Sequence, residues 1–451
     1  MQITFLGAAR TVTGSRYLIS INNKKILVDC GLYQGHKELR LRNWTRLPVD
    51  PKSIDAVILT HAHIDHSGYI PVLIKNGFSG RIYCTQGTKD LCAILLPDCG
   101  HLEEEDANRA NRYGYSKHKP ALPLYTREDA LRALDFFSPL TFDKPFPIVD
   151  GLIVTLLPAG HIIGSSIVRL TYNNKTIIFT GDLGRPHHPI HKPPAIITHT
   201  DYLITESTYG NKLHDESSPQ DQMAEIINNT VNEGGSIVIP AFAVGRTQDV
   251  LYYIHALKQS KRIPDVPVFL DSPMAQDVSD LLVKYSGEHR LTPEMCKAIC
   301  KTARYIRTPE ESKAIDQYKT PVIIISASGM ATGGRVLHHL KVFLAQHRNS
   351  ILFTGYQDPG TRGDRLVRGE PEIKIHGESY PVNAQIFLMQ NMSAHADYRE
   401  MLGWLKHFRT DPKKIFITHG ELPSALSLKN IVTEEFGWDC EIPEYLQSYA
   451  L

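Results

Sequence analysis

Short runs rich in Val, Ile, Leu and Tyr recur through the first 200 residues, each closed by Gly, Asp, Asn or Pro. Such runs predict short strands, here Ile3–Leu6, Ser15–Ile21, Lys25–Val28, Ala56–Leu59, Gly80–Tyr83, Ile153–Leu157, Ile167–Tyr172, Thr176–Thr180 and Tyr202–Thr205. Thr88–Arg112 and Glu128–Phe136 read as helices, the first as a surface insertion because it carries Glu103-Glu104-Glu105, Arg109 and Arg112. From about Ser217 the period alternates. Strands are predicted at Ser236–Phe242, Val266–Leu270, Pro321–Ser326 and Ser350–Thr354, and helices at Gly245–Lys261, Pro273–Tyr285 and Gly333–Gln346. Strand–helix alternation implies a mostly parallel sheet with helices on both faces. It would form a second domain, inserted before a last strand-rich stretch with Gln385–Met389 and Lys414–Thr418.

At 451 residues the chain has length for two or three domains. A hydrophobic share of 42% and a charged share of 22% are those of an ordinary globular protein, which excludes a disordered or collagen-like chain. The net charge of +1 means that any polyanion must be held by a local basic cleft. No apolar run reaches the length of a membrane span, and the first residues do not read as a signal peptide. Seven scattered cysteines without a CxxC read as free thiols of a reducing compartment, so a cytoplasmic location is expected.

Many of the 21 histidines follow strand runs. His61-Ala62-His63-Ile64-Asp65-His66 places four metal-ligand types in six residues directly after Ala56–Leu59. At a strand end, residues i and i+2 share a face, and a following turn can bring Asp65 and His66 to a neighbouring point. Two adjacent sites are the natural product. The strand runs before His161, Asp182 and His419 end in the same way. Ligands gather at the carboxyl ends of strands in open sheets, and five His with two Asp suit zinc.

These motifs resemble the metallo-β-lactamase superfamily. Glu206-Ser207-Thr208-Tyr209-Gly210, Ser393-Ala394-His395-Ala396-Asp397 and the inserted α/β segment resemble its beta-CASP branch of nucleic-acid-processing proteins. The resemblance implies an αββα sandwich, with residues 1–208 and 384–451 forming the metallo-β-lactamase domain and 209–383 a beta-CASP insertion of mostly parallel sheet. It implies two Zn2+ per chain, one on His61, His63 and His161, the other on Asp65, His66 and His419, with Asp182 bridging. Asp29 would support a ligand histidine, and Glu206 with His395 would supply the proton to the leaving oxygen.

The implied reaction is hydrolysis of single-stranded RNA by a metal-bridging hydroxide, leaving 5′-phosphate and 3′-hydroxyl ends. The histidine at position 419 is similar to the RNA-cleaving members, which makes DNA the lesser alternative. A small-ester hydrolase would not need the insertion, and a non-catalytic RNA-processing scaffold should have lost ligands. Di-iron relatives carry a carboxylate where His63 stands. The resemblance also implies a minimal member, without the added domains of some relatives; a homodimer stays open.

Two loops of the insertion look suited to phosphate. Pro240–Thr247 and Ser326–Arg335 each end a strand and start a helix, and their candidate substrate contacts are Arg246, Thr247, Ser328, Gly329, Gly333 and Arg335. Thr361–Gly369 is a further basic loop. His187, His188 and His191 read as surface or substrate-rim residues. No nucleotide-binding glycine motif occurs.

Overall fold

The computed structural model describes residues 1–451 except Tyr115, Asp150 and Pro359. It contains two compact units, Met1–Leu213 with His395–Leu451, and His214–Ala394. The first is an αββα sandwich. One of its sheets runs in the order Ser448–Ala450, Gln2–Phe5, Tyr17–Ile21, Lys24–Val28, Ala56–Ile58, Arg81–Thr85, Phe137–Leu140. The other runs Cys440–Glu441, Lys414–Ile417, Tyr202–Thr205, Lys175–Phe179, Ser166–Tyr172, Leu152–Pro158, Phe146–Val149. Their facing residues form one core, in which Ile3, Phe5, Ile19, Ile26 and Val28 meet Val154, Val168, Ile177, Phe179 and Phe416. Phe5 stands 5.2 Å from Phe416, ring centre to ring centre, and Tyr17 5.6 Å from Phe179. On its outer face the second sheet packs Ile178, Leu203 and Ile415 against Trp404, Leu405, Leu428 and Val432 of two helices, Tyr398–Leu405 and Leu422–Phe436.

Strand direction places the chemistry. Lys24–Val28 and Ala56–Ile58 are parallel neighbours, and so are Lys175–Phe179, Tyr202–Thr205 and Lys414–Ile417. Leu152–Pro158 is antiparallel to Ser166–Tyr172, which is itself antiparallel to Lys175–Phe179. The segments that follow these strands, bearing Asp29, His61, His161, Asp182, Glu206 and His419, therefore leave each sheet at one edge.

The helix Gln86–Tyr113 departs from the expected surface insertion. Leu91, Cys92, Leu95 and Leu96 in its first half are buried, a three-to-four-residue spacing that forms an apolar stripe, and it lies along Arg81–Thr85 and Phe137–Leu140. All seven cysteines are free. Among the described residues, no helix is long and apolar enough to cross a membrane.

The second unit holds a six-stranded parallel sheet in the order Arg304–Tyr305, Val268–Asp271, Ile323–Ser326, Ile237–Pro240, Ser350–Phe353, Gln385–Leu388. The four central strands are buried along their length, as parallel strands covered on both faces must be. Gln385–Leu388 corrects the expected grouping. It does not join the last part of the first unit but pairs with Ser350–Phe353 as an edge strand here. A four-residue apolar run carries no label for the sheet that will take it.

Buried polar groups brace this sheet. Asp271 accepts hydrogen bonds from Ser312, from Arg335 Nη1 at 2.6 Å and from His339 Nε2 at 2.8 Å, while His339 Nδ1 lies 2.7 Å from Asp316. Burial works against the imidazolium, but the two carboxylates outweigh it and raise the His339 pKa to about 9. The stabilisation from this raised value is complete below the unfolded value near 6.5 and is lost as pH rises through about 9. Thermal unfolding between these limits is expected to show a loss of about 3 kcal/mol in the parent chain that is absent from His339→Gln. Equal pH slopes for parent and variant would refute the charged His339.

Candidate metal centre

The centre starts from Asp29, a residue held at φ +58 after the strand Lys24–Val28. One carboxylate oxygen accepts the Thr60 N–H at 2.8 Å, and the other accepts the Thr60 hydroxyl at 2.9 Å and His66 Nδ1–H at 2.8 Å. Asp29 thus ties down both ends of the His61–His66 segment. Gly31 allows the close approach, since a Cβ there would sit 1.6 Å from the Asp65 carbonyl oxygen. The chain then turns from the strand Ala56–Ile58 into the short helix Ile64–Ser67, which puts His61 and His63 on one side and Asp65 and His66 on the other.

Because the Thr60 hydroxyl donates to Asp29, its lone pair takes His61 Nδ1–H at 3.0 Å and leaves His61 Nε2 bare. That nitrogen lies 3.1 Å from His63 Nδ1, which lies 3.2 Å from His161 Nε2. Asp65 Oδ2 and His66 Nε2 converge in the same way on His419 Nε2, each 3.2 Å away. Asp182, 2% exposed, stands between the groups. Its Oδ2 is 3.3 Å from His61 and 3.4 Å from His161; its Oδ1 is 3.2 Å from His66 and 3.5 Å from His419. The structure therefore gathers His61, His63, His161 and Asp182 into one cluster and Asp65, His66 and His419 into another.

The donor set fits metal ions. His66 Nδ1 bonds Asp29, so in the neutral ring the Nε2 lone pair faces His419, an arrangement that hydrogen bonds alone do not satisfy. Asp182 Oδ1 is buried without a hydrogen bond. Burial, reinforced by the neighbouring His66 charge, lowers the His61 pKa to about 3; burial also lowers His63 and His161, so these rings offer lone pairs at neutral pH. Asp65 resists the upward push of burial because His66 and His419 hold it ionised. Around His66, burial is outweighed by Asp182, Asp65 and Asp29, a group of anions that calls for positive charge.

His395 lies beside the clusters, its ring centre 4.6 Å from that of His161. A backbone bridge to Gly184 and the Ala396 N–H bond to the Leu183 carbonyl hold its segment next to Asp182. Its Nδ1 is 3.1 Å from both oxygens of Glu206, a buried carboxylate that also accepts the Leu183 N–H at 2.6 Å. Burial lowers its pKa, but Glu206 and then Asp182 outweigh it and raise the value to about 9.

The chain matches three family models: the metallo-beta-lactamase superfamily domain over residues 18–188, the Beta-Casp domain over 247–366, and the Zn-dependent metallo-hydrolase RNA specificity domain over 379–443. It is 33% identical to "Ribonuclease TTHA0252" of Thermus thermophilus, with 96% of both chains covered. The chain belongs to the beta-CASP branch of the metallo-β-lactamase superfamily. Further relatives of this beta-CASP protein are the "RNase J-like protein" of Methanocaldococcus jannaschii, 30% identical with 94% of both chains covered, and the "Transcription termination factor FttA" of Methanosarcina mazei. The latter is 30% identical over 96% of this chain and 69% of its own. A solved structure, a protein of unknown function from Enterococcus faecalis, shares the fold with a TM-score of 0.56 at 16% identity, covering 100% of this chain and 99% of its own.

The remaining expected site residues of the beta-CASP protein lie in its second unit. The loops after Ile237–Pro240 and Ile323–Ser326 leave one sheet edge together, and Gly329 rests against the exposed Phe242 ring. Arg246 and Thr247 open the helix Arg246–Gln259, but the Thr247 hydroxyl donates back to the Phe242 carbonyl at 2.8 Å. Ser328 and Thr332 share a hydroxyl contact of 3.1 Å. Gly333 lies in the turn before the helix Val336–Phe343, which starts later than the pattern predicts.

Arg335, expected to contact an anion, also pairs within the fold. Its terminal nitrogens go to Asp271 and to the Arg307 carbonyl, because the buried Asp271 needs a cation. In the basic loop, Arg365 pairs with Glu370 and Arg368 with Asp364. His187 is exposed, whereas His188 and His191 are buried, correcting their expected rim position; His188 Nδ1 accepts the Ile190 and His191 N–H groups to close a turn. Thr60 was not expected in the centre. Its only signal is a hydroxyl immediately before the histidine motif.

Proposed function

We propose that this chain is a zinc-dependent ribonuclease that hydrolyses single-stranded RNA to 5′-phosphate and 3′-hydroxyl ends. The observation that carries the reading is Asp182, whose two carboxylate oxygens face two separate ligand clusters. His61, His63 and His161 would hold one ion, Asp65, His66 and His419 the other, and Asp182 both. Two zinc ions bound there would activate a water nucleophile and neutralise the phosphodiester charge. Asp29 keeps His66 in the tautomer whose Nε2 points inward. His395, kept protonated by Glu206, donates from Nε2 to the departing ribose oxygen. The RNA specificity match and the ribonuclease names of relatives support RNA as the substrate.

The test is incubation of the full chain with end-labelled single-stranded RNA and DNA, with and without a chelator. Cleavage of RNA that stops on chelation and returns with Zn2+ is expected, with ends that a 5′-phosphate-dependent exonuclease degrades. Products ending in 2′,3′-cyclic phosphate would show that the ribose hydroxyl is the nucleophile and sink the hydrolytic scheme. Preferential cleavage of DNA would transfer the reading to that substrate.

A further inference from the structure

We infer that Thr208 is a positioning residue for His419, deciding which ring nitrogen His419 presents to the metal centre. The inference rests on the metal-binding reading above. Thr208 Oγ1 lies 3.2 Å from His419 Nδ1 and 3.3 Å from the His419 carbonyl oxygen. A hydroxyl has one hydrogen, and a carbonyl can only accept. The Thr208 hydrogen therefore goes to the carbonyl, and its lone pair receives His419 Nδ1–H. Nε2 is then left without a hydrogen, on the side where Asp65 Oδ2 and His66 Nε2 stand. Asp182 Oδ1, the other group near Nδ1, is farther away at 3.5 Å.

The backbone is arranged to the same end. His419 has φ +45, a left-handed conformation that a histidine keeps only when its surroundings enforce it. Here the His419 N–H donates to the Ala8 carbonyl at 2.8 Å, and its carbonyl accepts the Ser207 N–H at 3.1 Å. The Ser207 hydroxyl donates to the Thr418 carbonyl at 2.9 Å. Gly420 lets the turn sit directly on Ser207, since a Cβ there would come within 2.1 Å of Ser207 Oγ. Three consecutive residues thus set two rings: Glu206 orients His395, and Ser207 and Thr208 orient His419. Thr208 is to His419 what Thr60 is to His61 and Asp29 to His66.

The experiment compares the full parent chain with Thr208→Val, which keeps the shape and loses the hydroxyl, and Thr208→Ser, which restores it. Zn2+ stoichiometry and affinity are read by competition with a chromophoric chelator, and coordination by Co2+ absorption spectra. Thr208→Val is expected to hold one ion as the parent does and to bind the second roughly 10–100-fold more weakly. Thr208→Ser should return that affinity to within about threefold, well inside the range expected for a lost orienting bond. Parent-like binding of both ions by Thr208→Val would overturn the inference, as would a serine variant as weak as the valine one.

Should Thr208→Val fail to fold, imidazole nitrogen NMR of the parent, assigned with His419→Gln, tests the same point. A proton on His419 Nδ1 is expected, and a proton on Nε2 in the folded chain would overturn it. A parent that binds two ions yet leaves RNA intact would remove the ribonuclease reading and leave Thr208 standing. A parent that binds no second ion would overturn both.

Discussion

Asp182→Ala is expected to strip both metal ions and to abolish RNA cleavage. The carboxylate is buried, and each of its oxygens lies within 3.5 Å of two ring nitrogens belonging to a different ligand cluster. Burial would protonate a lone carboxyl, yet the surrounding His419, His66 and His61 hold Asp182 far below the usual range. It is therefore an anion at working pH, and its two oxygens face both clusters, so it could serve two ions. Without it, each cluster loses a ligand, and His61, His63 and His161 keep no negative charge among them. Metal analysis of the purified variant, with thermal unfolding as a check on folding, decides the matter. A variant that retains one stoichiometric ion and measurable cleavage would show that the two sites do not depend on Asp182 together. Asp182→Asn refines the comparison by keeping shape and removing charge.

His395→Ala should do the opposite: keep both ions and lose about 10²–10⁴-fold in rate, the range for a positioned proton donor. Its ring neighbours His161 but belongs to neither ligand cluster, and its Nδ1 is committed to Glu206. Burial alone would make it neutral; Glu206 and Asp182 reverse this and bring the pKa to about 9. If His395 donates the proton as proposed, its acid form is the active one, so the parent rate should hold at neutral pH and decline as pH rises through the His395 value. Metal ions would neutralise Asp182 and move that decline to lower pH, leaving Glu206 as the main support. Glu206→Gln should then shift the decline lower still. Unchanged cleavage by His395→Ala at saturating Zn2+ would remove it from the mechanism.

Much of the centre was legible because its parts are local. The six-residue histidine motif, the strand before it and the polar residue closing each later strand follow from the two-residue period of a strand and from residue chemistry. The alternating pattern after Ser217 likewise predicted the parallel sheet that forms. Other features were illegible for identifiable reasons. The Arg335 pairing is one, because nothing along the chain reveals that Asp271, 64 residues away, is its buried partner. His188 and His191 resembled rim residues, yet backbone N–H groups in their own turn take one of the rings. Gln385–Leu388 could have joined either unit, since hydrogen-bond donors along a strand edge do not name their partners.

The sequence by itself determined which atoms could bind metal and that they would emerge from strand ends, because both depend on residue type and short-range geometry. Only the tertiary structure decided how those atoms meet. His66 and His419, 353 positions apart, face each other because two sheets share one apolar core that fixes the height of every strand end. The same packing turns each oxygen of Asp182 toward its own cluster and aims Thr60 and Thr208 at the outer nitrogens of His61 and His419. Orientation at that scale follows from non-local contacts, which no spacing along the chain encodes.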